Sequence, residues 1–128
     1  MTFAYFSIVI VMCLNWFCAA YAKKSGGFNF HQHNANPRDF LAQTTGKAAR
    51  LNAAQQNGYE IFAPYAAAVI IAHFTGEASQ FTLNFWAAVF ILSRIGFIWA
   101  YAQNKAKWRS LLWSVGMVAI LALFIAAF

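Results

Sequence analysis

Residues 2–22 read TFAYFSIVIVMCLNWFCAAYA, an apolar run of 21 residues that only Ser7 and Asn15 interrupt. A helix needs about 20 such residues to cross the hydrocarbon core of a bilayer. Lys23 and Lys24 follow the run, whereas a cleaved signal peptide has its basic residues in front of a shorter apolar region. The stretch therefore predicts a transmembrane helix that the protein retains.

The composition of the whole chain also indicates a membrane protein. Of the 128 residues, 62% are hydrophobic and only 9% are charged, whereas a typical soluble domain has about 25% charged residues. A soluble fold would expose large apolar patches. The same numbers, with two cysteines, exclude a disordered chain, a disulfide scaffold and a multi-domain enzyme. We expect a single membrane domain over residues 1–128.

Three further segments have the length and character of membrane helices, namely residues 47–74, 80–103 and 108–128. Between the first and second helices, residues 25–46 contain Gly-Gly, Asn-Pro and Thr-Thr-Gly, which are typical of a polar surface loop. The sequence thus predicts an all-α integral membrane four-helix bundle with up-down topology and spans at about 2–22, 47–74, 80–103 and 108–128.

The basic residues are distributed unevenly between the connections. The connection around Glu77 has no Lys or Arg, whereas the first and third connections with their flanks hold eight: Lys23, Lys24, Arg38, Lys47, Arg50, Lys105, Lys107 and Arg109. Basic loops usually remain in the cytoplasm. We therefore expect a multi-pass protein of the plasma (inner) membrane with cytoplasmic basic loops and both termini outside.

Several polar residues fall within the predicted helices. Arg50, Asn57 and Glu60 lie within an arc of about 80° on the second helix, and Arg94 shares a face of the third helix with Tyr101. Polar residues inside a membrane usually mark a functional site. Glu60 is the best acidic partner for Arg94, because the other two acidic residues lie in connections.

Two interpretations of these residues remain open. In the first, Glu60 and Arg94 form a structural ion pair. In the second, an anionic ligand binds there, because the nearby cations Lys47, Arg50, Arg94 and Arg109 outnumber the anions. We expect neither a metal site, since His31 and His33 have only Asp39 nearby, nor a nucleic-acid partner, since no helix carries an exposed basic stripe.

The segment RLNAAQQNGYEIFAP at residues 50–64 resembles the MAPEG family, the membrane-associated proteins of eicosanoid and glutathione metabolism. Its Asn-x-x-Glu-x-x-x-Pro element, with Arg50 seven residues before the Asn, is the family's most recognisable feature. Arg94 with Tyr101, and the pair Arg109-Ser110, are similar to family positions. The resemblance covers essentially the whole chain.

This resemblance implies a homotrimer that binds glutathione, as a cosubstrate, between neighbouring subunits. The implied activity is that of a membrane transferase or peroxidase, in which the activated thiol attacks a lipophilic electrophile or hydroperoxide drawn from the lipid. Asn57 and Glu60 would hold the peptide and its amino end, and Tyr101 would contact the ligand. Arg109 and Ser110 would stabilise the thiolate, while Arg50 and Arg94 would supply further cations. No metal is implied.

Two positions depart from the family pattern. Ala53 stands where the better-known members have an arginine, and Phe97 replaces the usual tyrosine or histidine. An alternative function is therefore a catalytically silent membrane protein of the same fold that binds another anionic small molecule or lipid. A small multidrug exporter is less favoured, because such proteins have an acidic residue in the first helix and residues 2–22 contain none.

Overall fold

A computed structural model describes residues 2–128, which form six α helices and no strand. They are α1 (Phe3–Gly26), α2 (Phe30–His33), α3 (Pro37–Ala42), α4 (Gly46–Thr75), α5 (Gln80–Ala102) and α6 (Ala106–Ile125). Three of these helices, α1, α5 and α6, are long and apolar enough to cross a membrane. The predicted all-α membrane class is confirmed.

The helix ends follow from local chemistry. The side chain of Thr2 accepts a hydrogen bond from the Tyr5 N–H at the start of α1, and that of Ser79 accepts one from the Thr82 N–H at the start of α5. Such caps satisfy main-chain donors that have no partner within the helix. α1 ends at Gly26 and is capped by Gly27, whose φ of 76° favours glycine.

The connection between α1 and α4 contains two short helices, where the sequence indicated only a loop. The Asn29 side chain caps α2 by accepting hydrogen bonds from the His31 and Gln32 N–H groups. Pro37 starts α3, because its fixed φ suits the first helical position. Leu41 anchors α3 by being buried. The polar residues of this segment thus act as helix caps as well as turn formers.

The long helices pack as two close pairs, α1 with α4 and α5 with α6, and α5 also contacts both α1 and α4. Between α1 and α4, Asn15 Nδ2 donates to the Gly58 main-chain oxygen at 3.2 Å. One buried cluster includes Tyr65 stacked on Phe90, with ring centroids 3.8 Å apart. A second buried cluster, which includes Leu51 and Phe97, lies at the end of the bundle where the basic connections are.

Gly58 allows α1 and α4 to approach closely, and we expect Gly58→Ala to destabilise the protein. A Cβ at this position would overlap the side-chain oxygen of Asn15. Overpacking of this kind typically lowers the free energy of unfolding by about 1–3 kcal/mol, whereas the higher helix propensity of alanine raises it by about 1 kcal/mol. The midpoint of thermal unfolding should therefore fall. The double variant Asn15→Ala/Gly58→Ala removes the overlap and should recover part of the loss; no recovery would contradict this explanation.

Candidate functional site

A cleft of about 440 Å³ lies between α4, α5 and α6. Its lining residues are Asn57 from α4, Phe97 and Tyr101 from α5, and Arg109, Ser110, Trp113 and Ser114 from α6. Four of the seven residues that the sequence singled out, Asn57, Tyr101, Arg109 and Ser110, therefore line a single cavity. The other three, Arg50, Glu60 and Arg94, do not line it.

Arg109 provides the positive charge of the cleft. Its guanidinium carbon lies 5.1 Å from the centroid of the Tyr101 ring, within the range of a cation–π contact. No acidic side chain from the described part of the chain, residues 2–128, lines the cleft, so no carboxylate there neutralises this charge. The side chains of Ser110 and Ser114 line the same cleft, and Ser114 donates to the Ser110 main-chain oxygen at 3.0 Å. The cleft thus combines one cation, several hydroxyls and the apolar walls of Phe97 and Trp113.

Asn57 offers an unused acceptor. Its Nδ2 donates to Glu60 Oε2 at 3.4 Å, while its buried Oδ1 has no hydrogen-bond partner within residues 2–128. A buried polar atom without a partner is costly, so this oxygen needs a donor that residues 2–128 do not supply.

Within residues 2–128, Arg94 and Glu60 do not form the structural ion pair that was one of the two interpretations of the sequence. Arg94 is 3% exposed, its guanidinium carbon lies 4.0 Å from the centroid of the Phe97 ring, and its Nη1 has no partner in the described residues. Glu60 is exposed on the outer side of α4. The first of the two interpretations, a structural pair within one chain, is therefore not what the structure contains, because packing directs Arg94 onto an aromatic ring and leaves Glu60 exposed.

The guanidinium of Arg50 donates hydrogen bonds to the main chain at the end of α5. Its Nε donates to the Tyr101 carbonyl oxygen at 2.8 Å and its Nη2 to the Ala102 carbonyl oxygen at 3.3 Å. These contacts hold Arg50 at the end of α5, outside the set of residues that line the cleft. Sequence reasoning missed this role, because it counted charged side chains and not the carbonyl oxygens at a helix end.

Trp113 and Ser114 line the cleft but were not predicted. Each lies four residues after a predicted site residue, Arg109 or Ser110, and residues four apart share a helix face. The i, i+4 spacing from Arg109 and Ser110 was therefore the sequence signal that would have predicted Trp113 and Ser114.

A second, polar pocket of about 670 Å³ lies in the connection between α1 and α4. It contains His33 and Asp39 together with amide and hydroxyl side chains. Within residues 2–128 no three His, Cys, Asp or Glu side chains are grouped as a metal would require.

The fold and the cleft define a class of protein, a helical membrane protein with a cationic cleft. A comparison with protein-family models identifies the family: the model of the MAPEG family matches residues 1–128, and the chain belongs to that family. No individual curated protein matches the chain significantly. The protein is therefore a membrane protein of the glutathione and eicosanoid metabolism type.

Proposed function

We propose that the protein is a glutathione-dependent membrane transferase or peroxidase, and that the cleft binds the glutathione thiol. The observation that carries this proposal is the meeting of Asn57, Tyr101, Arg109 and Ser110 around one cavity that has a cation and no acidic residue. Glutathione carries two carboxylates and one ammonium, so a site with an excess of positive charge suits it.

The chemistry follows from the placement of Arg109. The thiolate is the nucleophile, and a guanidinium beside the sulfur lowers the pKa of the thiol because it favours the charged form. Ser110 adds a hydroxyl that donates to the same sulfur. Phe97 and Trp113 form apolar walls against which a lipophilic electrophile or hydroperoxide binds. In the transferase reaction the thiolate attacks the electrophilic carbon, so that a C–S bond forms while the bond to the leaving group breaks and the leaving group departs with its electron pair. In the peroxidase reaction the thiolate attacks the terminal hydroperoxide oxygen, and the O–O bond breaks to give a glutathione sulfenic acid and, after protonation, an alcohol. A second glutathione thiol then converts the sulfenic acid to glutathione disulfide and water.

We further propose that α4 is the fourth span. It runs beside α1 and α5, both of which have the length and apolarity of membrane helices. Its N-terminal half is polar, and Arg50 in that half donates a hydrogen bond to the end of α5. With the basic connections in the cytoplasm, both termini lie outside, and a plasma or inner membrane is the proposed location.

The position of Glu60 supports a homotrimer. This carboxylate lies midway along α4 and is exposed, with only Asn57 as its hydrogen-bond partner. A charged group facing lipid at this depth is costly. A neighbouring subunit that covers Glu60 removes the cost and places its carboxylate at a subunit seam, where it meets the ammonium of glutathione.

The direct test uses protein purified in detergent. We expect it to bind glutathione and to conjugate it to a generic electrophile such as chlorodinitrobenzene, as measured by calorimetry and by the absorbance of the conjugate. Undetectable binding at millimolar glutathione would refute the proposal.

A catalytically silent protein that binds glutathione or another anionic small molecule or lipid is the second candidate. Ala53 and Phe97 favour it, because both positions lack a polar group that the better-known relatives have, and Phe97 lines the cleft itself. Glutathione binding without the ultraviolet absorbance of a thiolate would favour this second function over the first.

A further inference from the structure

Arg50 caps the C-terminal end of α5. It lies in the second turn of α4, is partly buried, and its guanidinium donates to the carbonyl oxygens of Tyr101 and Ala102 at 2.8 and 3.3 Å. These are the last two residues of α5. The final carbonyls of a helix have no partner within the helix, and a cation there also interacts favourably with the helix dipole. Arg50 therefore fixes this helix end from a different helix.

The end of α5 in turn determines where α6 begins. Only residues 103–105 join the two helices, and Asn104 adopts a left-handed φ of 56°. The Lys105 N–H donates back to the Ala100 carbonyl oxygen at 2.8 Å. Since the turn is short and bonded to the last turn of α5, the start of α6 follows any displacement of that helix end. Arg109 lies at the start of α6.

The same contacts keep Arg50 away from the ligand cleft. Arg50 and Arg109 line a narrow gap of about 10 Å³ together with residues of the α5–α6 turn, and this gap is too small for a peptide ligand. Lys105 also lines this gap, and none of the acidic side chains that the structure describes does. Lys105 and Arg109 repel the Arg50 guanidinium because all three are positively charged. The attraction that holds this guanidinium in place therefore comes from the carbonyl oxygens of Tyr101 and Ala102.

We infer that Arg50 is a positioning residue, which sets the placement of Arg109 relative to Tyr101 instead of binding the ligand itself. This inference rests on the proposed function for its effect on turnover, but its structural part is independent of glutathione. Lysine keeps the charge but is a compact donor without the planar fork of arginine. Arg50→Lys therefore keeps the positive charge but removes the pair of hydrogen bonds from the guanidinium to the end of α5.

The test compares Arg50→Lys with Lys107→Gln, which removes an exposed cation from the first turn of α6. In the ligand-free protein, hydrogen exchange at the amides of Gln103, Asn104 and Lys105 should be about tenfold faster in Arg50→Lys and unchanged in Lys107→Gln. In the conjugation assay, kcat should fall about tenfold in Arg50→Lys, while KM for glutathione stays within about twofold.

The possible results are distinguishable. Unchanged exchange in Arg50→Lys would overturn the capping role. A raised KM at unchanged kcat would overturn the positioning role, since it would mean that Arg50 contacts the ligand. Faster exchange in a protein that binds no glutathione would support the capping of α5 while refuting the proposed function. If Arg50→Lys and Arg50→Gln both fail to fold and Lys107→Gln folds, the local role is overturned, because the entire fold would then depend on Arg50.

Discussion

Arg109→Ala is expected to lower kcat for glutathione conjugation about a hundredfold at neutral pH, with a much smaller change in glutathione affinity. Among residues 2–128, Arg109 is the only Lys or Arg that lines the cleft between α4, α5 and α6. A hundredfold effect corresponds to about 2.7 kcal/mol of thiolate stabilisation, which is within reach of one close guanidinium in a partly desolvated site. Steady-state kinetics and the ultraviolet absorbance of the bound thiolate measure the two quantities separately.

The pH dependence of Arg109→Ala gives an independent check. Because Arg109 lowers the pKa of the bound thiol, the wild-type rate should level off at a lower pH than that of the variant. The rate of the variant should continue to rise with pH, so the deficit should shrink in alkaline solution, where the thiol ionises without help. Lys107→Ala, which removes a charge outside the cleft, should stay within about twofold of wild type. Equal rates and affinities for Arg109→Ala and wild type would remove Arg109 from the site.

Glu60→Gln is expected to weaken both glutathione binding and subunit assembly. The amide has nearly the shape of the carboxylate, so the change removes the charge while largely preserving packing. Loss of a charged hydrogen bond costs about 1.5–3 kcal/mol, which corresponds to about 10- to 100-fold in affinity. Calorimetry measures the affinity, and light scattering in detergent measures the fraction of trimer.

Glu77→Gln is the matched control for Glu60→Gln. Glu77 is exposed in the connection between α4 and α5, away from the cleft, so its neutralisation should change neither affinity nor assembly. Trimers of unchanged stability that bind glutathione as tightly as wild type would contradict the role proposed for Glu60. Dimers in place of trimers, for wild type as well, would contradict the proposed assembly.

The candidate site was predicted in part. The family motif indicated Asn57, and similarity to other family positions indicated Tyr101, Arg109 and Ser110; these four line one cleft. Arg94 and Glu60 were matched by opposite charge, yet the Arg94 guanidinium lies over Phe97 and Glu60 is exposed. Periodicity places a residue on a face of its own helix, but it does not tell which neighbouring helix that face contacts.

Arg50 is a second residue whose contacts the sequence did not predict. Its charge and its place in the motif predicted a ligand-binding cation, but its guanidinium donates to two main-chain carbonyl oxygens at the end of α5. Every residue carries such an oxygen, so a sequence does not distinguish the few that a distant side chain will bind. The folding of the α1–α4 connection into α2 and α3 was missed because its capping residues are also the residues of ordinary turns.

The amino-acid sequence by itself determined that this protein is helical, membrane-embedded and a member of the MAPEG family. These properties depend on the length of apolar runs, the scarcity of charge and a motif within one helix, all of which are local. The tertiary structure alone decided which side chains share the cleft and which carbonyls Arg50 holds. Those contacts join residues about 50 positions apart, such as Arg50 and Tyr101, and only the packing of α4 against α5 and α6 brings such residues together.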